Sequence, residues 1–366
     1  MEFPQAPTDA AAAIDQTFQV NCGSIPAMEE RNRRAFFIGA FGAIAVFAVL
    51  VFIVGARSIL DSLLSATPSL VAATFALALC WLVVWSLMLR TVLGTLGVEM
   101  PLGKSFLVYA GAVFANNVTP FGQAGGEPVA ALLISKVSDS RYETGLVGIA
   151  SVDVLNVIPS ISLVFVGVGY YATTAAVGDR LETAIGSAVV LIGAIVIVMG
   201  LVWRYREMII NWLPAVIAPH LGKLGLERFN SETLEDDLAD RMGRFFENIE
   251  RIATNRWRLG AVVGLSLCGW LFQVVALLAA FAALGYSVPP YILLFVIPLA
   301  NVAGAAPLPG GLGGIEAAFV TLLVPTTGIE ASAVTAAVLI FRGAVYWMPI
   351  LLGGASVSAL GIRAIR

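Results

Sequence analysis

Apolar runs long enough to cross a bilayer as a helix, about 20 residues each, recur along the chain. They lie at Ala35 to Ala56, Ser69 to Leu89, Gly145 to Tyr171, Thr183 to Trp203, Leu259 to Ala283 and Ala331 to Leu352. Two further apolar runs, Ser105 to Ser135 and Tyr291 to Val324, are interrupted mid-way by NNVTPFGQAGGEP and AAPLPGGLGG. Neither makes a clean helix, because proline lacks the donor N–H and glycine weakens helix continuity. Each is therefore expected either to cross completely or to enter and leave on one side as a re-entrant helix pair.

The basic residues favour the re-entrant option. Arg31, Arg33, Arg34, Arg90, Lys104, Lys136, Arg141, the cations of 204–258, Arg363 and Arg366 then share one side, against Arg57 and Arg180 on the other. By the positive-inside rule the basic side is cytoplasmic, so the expectation is a multi-pass protein of the cell membrane with both termini inside. The expected fold is all-α: six full transmembrane helices plus two broken-helix pairs in two inverted repeats. At a constant offset of 189 positions Pro120 falls on Pro309, Glu127 on Glu316 and Asp153 on Arg342, while Asn116 and Asn301 need a gap of four to meet. Duplicated broken elements of this kind characterise transporters whose site lies where they meet.

The expected domains follow. Residues 1–34 form a disordered cytoplasmic tail. Repeat one spans 35–171 around the pair 105–135, and repeat two spans 183–352 around the pair 291–324. A cytoplasmic linker, 204–258, interrupts repeat two and carries an amphipathic helix at Ser231 to Ala253 with Leu234, Leu238, Met242, Phe245, Ile249 and Ile252 on one face. Residues 353–366 form a second cytoplasmic tail.

Composition removes the soluble alternative: 59% of the residues are hydrophobic, 12% are charged, and mean hydropathy is +0.90. There is no basic stripe with interleaved aromatics, so nucleic acid is not an expected partner. Cys22, Cys80 and Cys268 are scattered and His220 is the single histidine, which argues against a disulfide framework, a metal site or a histidine triad. The first 27 residues lack the basic start of a secretory signal.

Four ionisable groups, Glu127, Asp153, Glu316 and Arg342, fall where water is scarce and so should face a polar cavity or each other. Glu127 and Glu316 closely follow the glycine-rich breaks, where a carboxylate in the first helical turn serves as a cap or helps form an anion- or proton-binding end. Asp153 and Arg342 are expected either as a buried ion pair between the repeats or as a site where the arginine fork receives a phosphate. Asn156 follows one turn beyond Asp153. Asn116, Asn301 and Gln123 add neutral polar groups near the breaks. Pro120, Gly125 and Gly126, and then Pro309, Gly310, Gly311, Gly313 and Gly314, set the breaks. The glycines of the second are not a nucleotide loop, since no Lys-Ser/Thr pair follows them.

NNVTPFGQAGGEP followed by a span bearing Asp153, and APLPGGLGGIEAAFVTLLV followed by LIFRGAVYWMPILLGG, resemble the membrane region of lysylphosphatidylglycerol synthetases and related stand-alone, flippase-like proteins. The resemblance implies movement of lipids or lipid-linked cargo between leaflets. The separate aminoacyltransferase domain of the synthetases is not expected here. That family's first repeat often has Asp followed by Arg, whereas Val154 follows Asp153 here, which counts against a two-arginine headgroup clamp.

The leading expectation is a lipid translocase, not an enzyme and without a cofactor, that passes an anionic headgroup through a cavity lined by Glu127, Glu316, Asp153 and Arg342. The alternatives are a secondary transporter of a small solute or ion, and a membrane-embedded transferase acting on a lipid-linked substrate. Its expected partner is a membrane lipid or lipid-linked substrate, with a homo-oligomer also open.

Overall fold

The computed structural model describes residues 52–118, 123–175, 254–305 and 309–361, with isolated positions in 45–49 and 201–250. The tails, most of the first span, nearly all of the fourth span, most of the linker with its amphipathic helix, and Pro120 lie outside the described residues. Every regular element among the described residues is helical.

A short helix, α1 (Ala56–Leu64), leads into α2 (Pro68–Thr95). A pair of shorter helices follows, α3 (Leu102–Val118) and α4 (Gln123–Ser138), and then α5 (Tyr142–Ala175). The second half begins with α6 (Arg256–Ala283) and continues with another short pair, α7 (Pro290–Val302) and α8 (Gly314–Thr327). It ends with α9 (Ala331–Arg342), a π-helical turn (Gly343–Trp347) and α10 (Met348–Gly361). Among the described residues four stretches are long and apolar enough to cross a membrane: α2, α5, α6 and the continuous α9–α10 rod.

At 1.5 Å per residue, the 17 and 16 residues of α3 and α4 and the 13 and 14 of α7 and α8 reach about 20 to 25 Å, short of the roughly 30 Å hydrocarbon core. The first pair is longer than its sequence suggests, because the helix resumes at Gln123 and runs straight through Gly125 and Gly126.

Helices α2 and α6 form the centre of the molecule and run antiparallel. The Thr67 N–H at the start of α2 donates to the Ala283 carbonyl at the end of α6 (2.8 Å). Midway, the Trp85 indole N–H reaches the Ser266 carbonyl (3.3 Å) and its ring stacks edge-on against Trp270 (5.5 Å between centroids). Gly269 makes room for this, since a Cβ there would come 2.0 Å from the Trp85 ring nitrogen.

The two helices also end alike, 188 positions apart. Each is 28 residues long. Gly97 (φ 77°) and Gly285 (φ 81°) take the left-handed conformation that glycine adopts without a Cβ penalty. The Val98 and Tyr286 N–H groups close back on Leu93 and Phe281 (3.0 Å each), capping both C-termini by the same 6→1 bond. Pro101 and Pro289 then precede α3 and α7.

Candidate functional site

The second break is built from glycines that only glycine serves well. After the turn at Pro309–Gly311, Gly310 (φ 56°), Gly311 (φ 65°) and Gly313 (φ 80°) are all left-handed, and the chain re-enters a helix at Gly314. Glu316, third residue of α8, folds back so that Oε2 accepts the Gly313 N–H at 2.7 Å, the first-turn cap read from the sequence. Its Oε1 accepts Nε–H of Arg342 at 2.6 Å, and Nη2 of the same guanidinium donates to the Gly310 carbonyl at 3.2 Å. Tyr346 lies under the guanidinium with its ring centre 4.4 Å from Cζ, brought there by the π-helical turn directly after Arg342. Glu316 and Arg342 are 3% and 7% exposed.

This corrects one of the two expected arrangements, the Asp153–Arg342 ion pair. The carboxylate beside Arg342 is Glu316 of its own repeat, and no hydrogen bond joins Arg342 to Asp153. The reason is hairpin geometry. From Glu316 to the end of α8 the chain runs as many residues as α9 takes to return to Arg342, with a three-residue turn between, so the two side chains arrive level.

The first break has the same hairpin with different chemistry. Glu127 to Ser138, a three-residue turn, and Tyr142 to Asp153 repeat those counts. The same counts bring Glu127 and Asp153 level with each other, and the buried Tyr109 of α3 is near Asp153. Oδ2 of Asp153 is buried with no hydrogen-bond partner, and so is Oδ1 of Asn116. Asn116 packs onto Gly126, where a Cβ would fall 1.6 Å from that oxygen. Glu127 is the fifth residue of α4, not a first-turn cap as expected, because α4 starts at or before Gln123.

The remaining candidates separate. Asn156 turns away to α6, accepting from the Ser266 hydroxyl and from the Trp270 indole N–H (3.1 Å), so it joins two long helices. Asn301 is exposed near the end of α7. Gln123 and Gly125 are helical residues of α4, and Gly314 is the first residue of α8.

The two breaks touch. A Cβ on Gly310 would lie 2.8 Å from the Asn117 carbonyl near the end of α3 and 2.3 Å from the Tyr346 ring. The Tyr346 hydroxyl donates weakly to that same carbonyl (3.4 Å). Behind them α10 presses on α3, with Gly353 against the Ala110 carbonyl, where a Cβ would approach to 2.1 Å. Sequence reasoning passed over Tyr346 and Tyr109. The signal for Tyr346 was its place one helical turn past Arg342, the spacing at which a ring meets a cation on one face.

Residues 40–353 match the family model described as the lysylphosphatidylglycerol synthase TM region. A UPF0104 membrane protein of Methanothermobacter thermautotrophicus is 25% identical over 327 residues, covering 88% of this chain and 93% of that relative. A UPF0104 membrane protein of Pyrococcus horikoshii is 25% identical over 66% of this chain and 72% of its own length. The glycosyltransferase AglD of Haloferax volcanii is 26% identical over 84% of this chain, a match that takes in 52% of that protein. No solved structure matches. With four membrane-length helices among the described residues and a family match that runs through both breaks, the chain belongs to the lysylphosphatidylglycerol synthase transmembrane-region family.

Proposed function

We propose that this protein is a lipid translocase of the cell membrane that passes an anionic headgroup between leaflets at the point where its two helix breaks meet. The observation that carries this reading is the contact of Gly310 with the Asn117 carbonyl, beside the buried Arg342–Glu316 pair. Broken helices at mid-depth are tolerated where they line protein or a polar path, and their unpaired N–H groups favour an anion. Arg342 is the cation at that meeting point. The half-chain relation is read as inverted, from the antiparallel α2 and α6 with their matching caps, and both broken pairs are read as re-entrant from opposite sides.

An apolar groove of about 660 Å³, lined by Val49, Ile53, Ala317, Val320, Thr321 and Val324, runs along α8. An acyl tail fits that lining and a hydrated solute does not, which favours the lipid reading over a small-solute transporter. A membrane region found both in a family described by lysylphosphatidylglycerol synthesis and in a protein named a glycosyltransferase is not tied to one transfer reaction. Those same names support a second reading, a transferase acting on a lipid-linked substrate.

The test is leaflet-resolved scrambling of fluorescent anionic lipids in proteoliposomes, with Glu316→Gln and Arg342→Lys as variants that keep shape but remove charge or fork. The wild type is expected to exceed protein-free liposomes severalfold, and correctly folded variants are expected to fall toward the background. A wild-type rate equal to that of empty liposomes overturns the translocase. Turnover of a lipid-linked substrate in detergent, where no leaflets exist, supports the transferase instead.

A further inference from the structure

Glu316 and Glu127 occupy corresponding places in two hairpins of equal dimensions, yet their neighbours carry opposite charge. In the second hairpin Arg342 neutralises Glu316 through a 2.6 Å bond. In the first, position 153 is an aspartate, so a second carboxyl stands where the first carboxylate needs a cation. Two carboxylates level with each other at membrane depth cannot both stay ionised without a positive charge between them. Among the described residues, the titratable groups near Asp153 are Glu127 from α4 and the Tyr109 phenol from α3, and neither supplies that charge.

The oxygens make the same statement. Oδ2 of Asp153 is enclosed and lacks a donor, and Oδ1 of Asn116, packed on the residue before Glu127, is enclosed and lacks one too. Each of these two oxygens, as placed, lacks a hydrogen to accept. A divalent metal would need six or more oxygens for calcium, or octahedral coordination for magnesium. Among the described residues no group of three or more His, Cys, Asp or Glu side chains is placed to hold one.

We propose that Glu127 and Asp153 form a proton-binding site, holding one exchangeable proton between them in the position that the Arg342 charge fills in the other half of the chain. The site lies beside the first break, whose Asn117 carbonyl meets Gly310 of the second, so gain or loss of the proton changes the charge of one half of the structure only. The inference does not rest on lipid being the cargo.

The experiment is infrared difference spectroscopy of the full chain in nanodiscs, titrated from mildly acidic to mildly alkaline pH. The wild type is expected to show one protonated-carboxyl band that bleaches with a one-proton amplitude. The Glu127→Gln/Asp153→Asn double variant is expected to lack it, and so is Asp153→Arg, which rebuilds the ion pair of the other hairpin. Solvent deuteration is expected to shift the band, while exchange of sodium for potassium or added ammonium at fixed pH leaves it in place. A wild-type protein without the band, a band that survives in the double variant, or one abolished by sodium or ammonium at constant pH overturns the proposal. This readout follows carboxyl protonation without any lipid movement, so its failure is distinct from a failure of the translocase.

Discussion

Arg342 is held on three sides at once: by Glu316, by the Gly310 carbonyl and by the Tyr346 ring. A buried pair of this kind is a weak source of net stability, but removing one member strands the other charge, at about 3–5 kcal/mol. Arg342→Ala is therefore expected to lower the melting temperature in detergent sharply. Replacing both members, Arg342→Met with Glu316→Leu, is expected to recover part of the loss. It leaves only the Gly313 N–H and the Gly310 carbonyl without partners, at about 1–3 kcal/mol each. A double variant that melts below Arg342→Ala would show that the charges themselves hold the break. At this scale the cap was one of the two uses legible for Glu316, because a carboxylate three residues into a helix after a glycine run meets the free N–H groups of its first turn. The partner of Arg342 was not, because matching positions between repeats says which residues are equivalent and nothing about which are near. Counting residues through the three-residue turn at 328–330 would have placed Glu316 level with it.

The long elements were legible from length alone, since about 20 apolar residues have few alternatives to a membrane helix. Their ends were less so: α5 runs from Tyr142 to Ala175, beyond the apolar stretch at both ends. The first break is narrower than its glycine content suggests, because glycine in a helix costs only about 1 kcal/mol relative to alanine. Gly126 sits inside α4 because Asn116 needs its missing Cβ. How the elements bind to one another was invisible in the sequence. Asn156 takes two donors from α6, Ser266 and Trp270, and so ties the first half of the chain to the second across a span of 110 residues. Asn156→Leu leaves both donors unpaired and is expected to destabilise the protein by about 1–3 kcal/mol, read as a lower melting temperature in detergent. Ser266→Ala, which removes one donor and leaves Asn156 its indole partner, is expected to cost less. Equal melting of Asn156→Leu and the wild type would mean that the α5–α6 contact is held by its apolar packing alone.

For the whole molecule, the decisive question is which way each broken pair faces. The Thr67–Ala283 bond puts the start of α2 and the end of α6 at one end of the structure, so the turn after α2 and the turn after α6 lie at opposite ends. If α3–α4 and α7–α8 each return to the side they left, the loops at 96–101 and 139–141 share one face, and those at 284–289 and 328–330 share the other. Lys104, Lys136 and Arg141 flank the first set, while Glu330 is the charged side chain beside the second, so the positive-inside bias places the first set in the cytoplasm. In a background lacking Cys22, Cys80 and Cys268, single cysteines at Glu99, Asp139, Ser287 and Glu330 distinguish the outcomes. A membrane-impermeant maleimide applied to intact cells is expected to label Ser287→Cys and Glu330→Cys and to spare Glu99→Cys and Asp139→Cys until the membrane is opened. Labelling of Asp139→Cys from outside, with Glu99→Cys protected, would mean that α3 and α4 together cross the membrane once instead of returning to the side they left. The first pair would then be a broken full crossing, and the two pairs would no longer form re-entrant elements facing opposite leaflets.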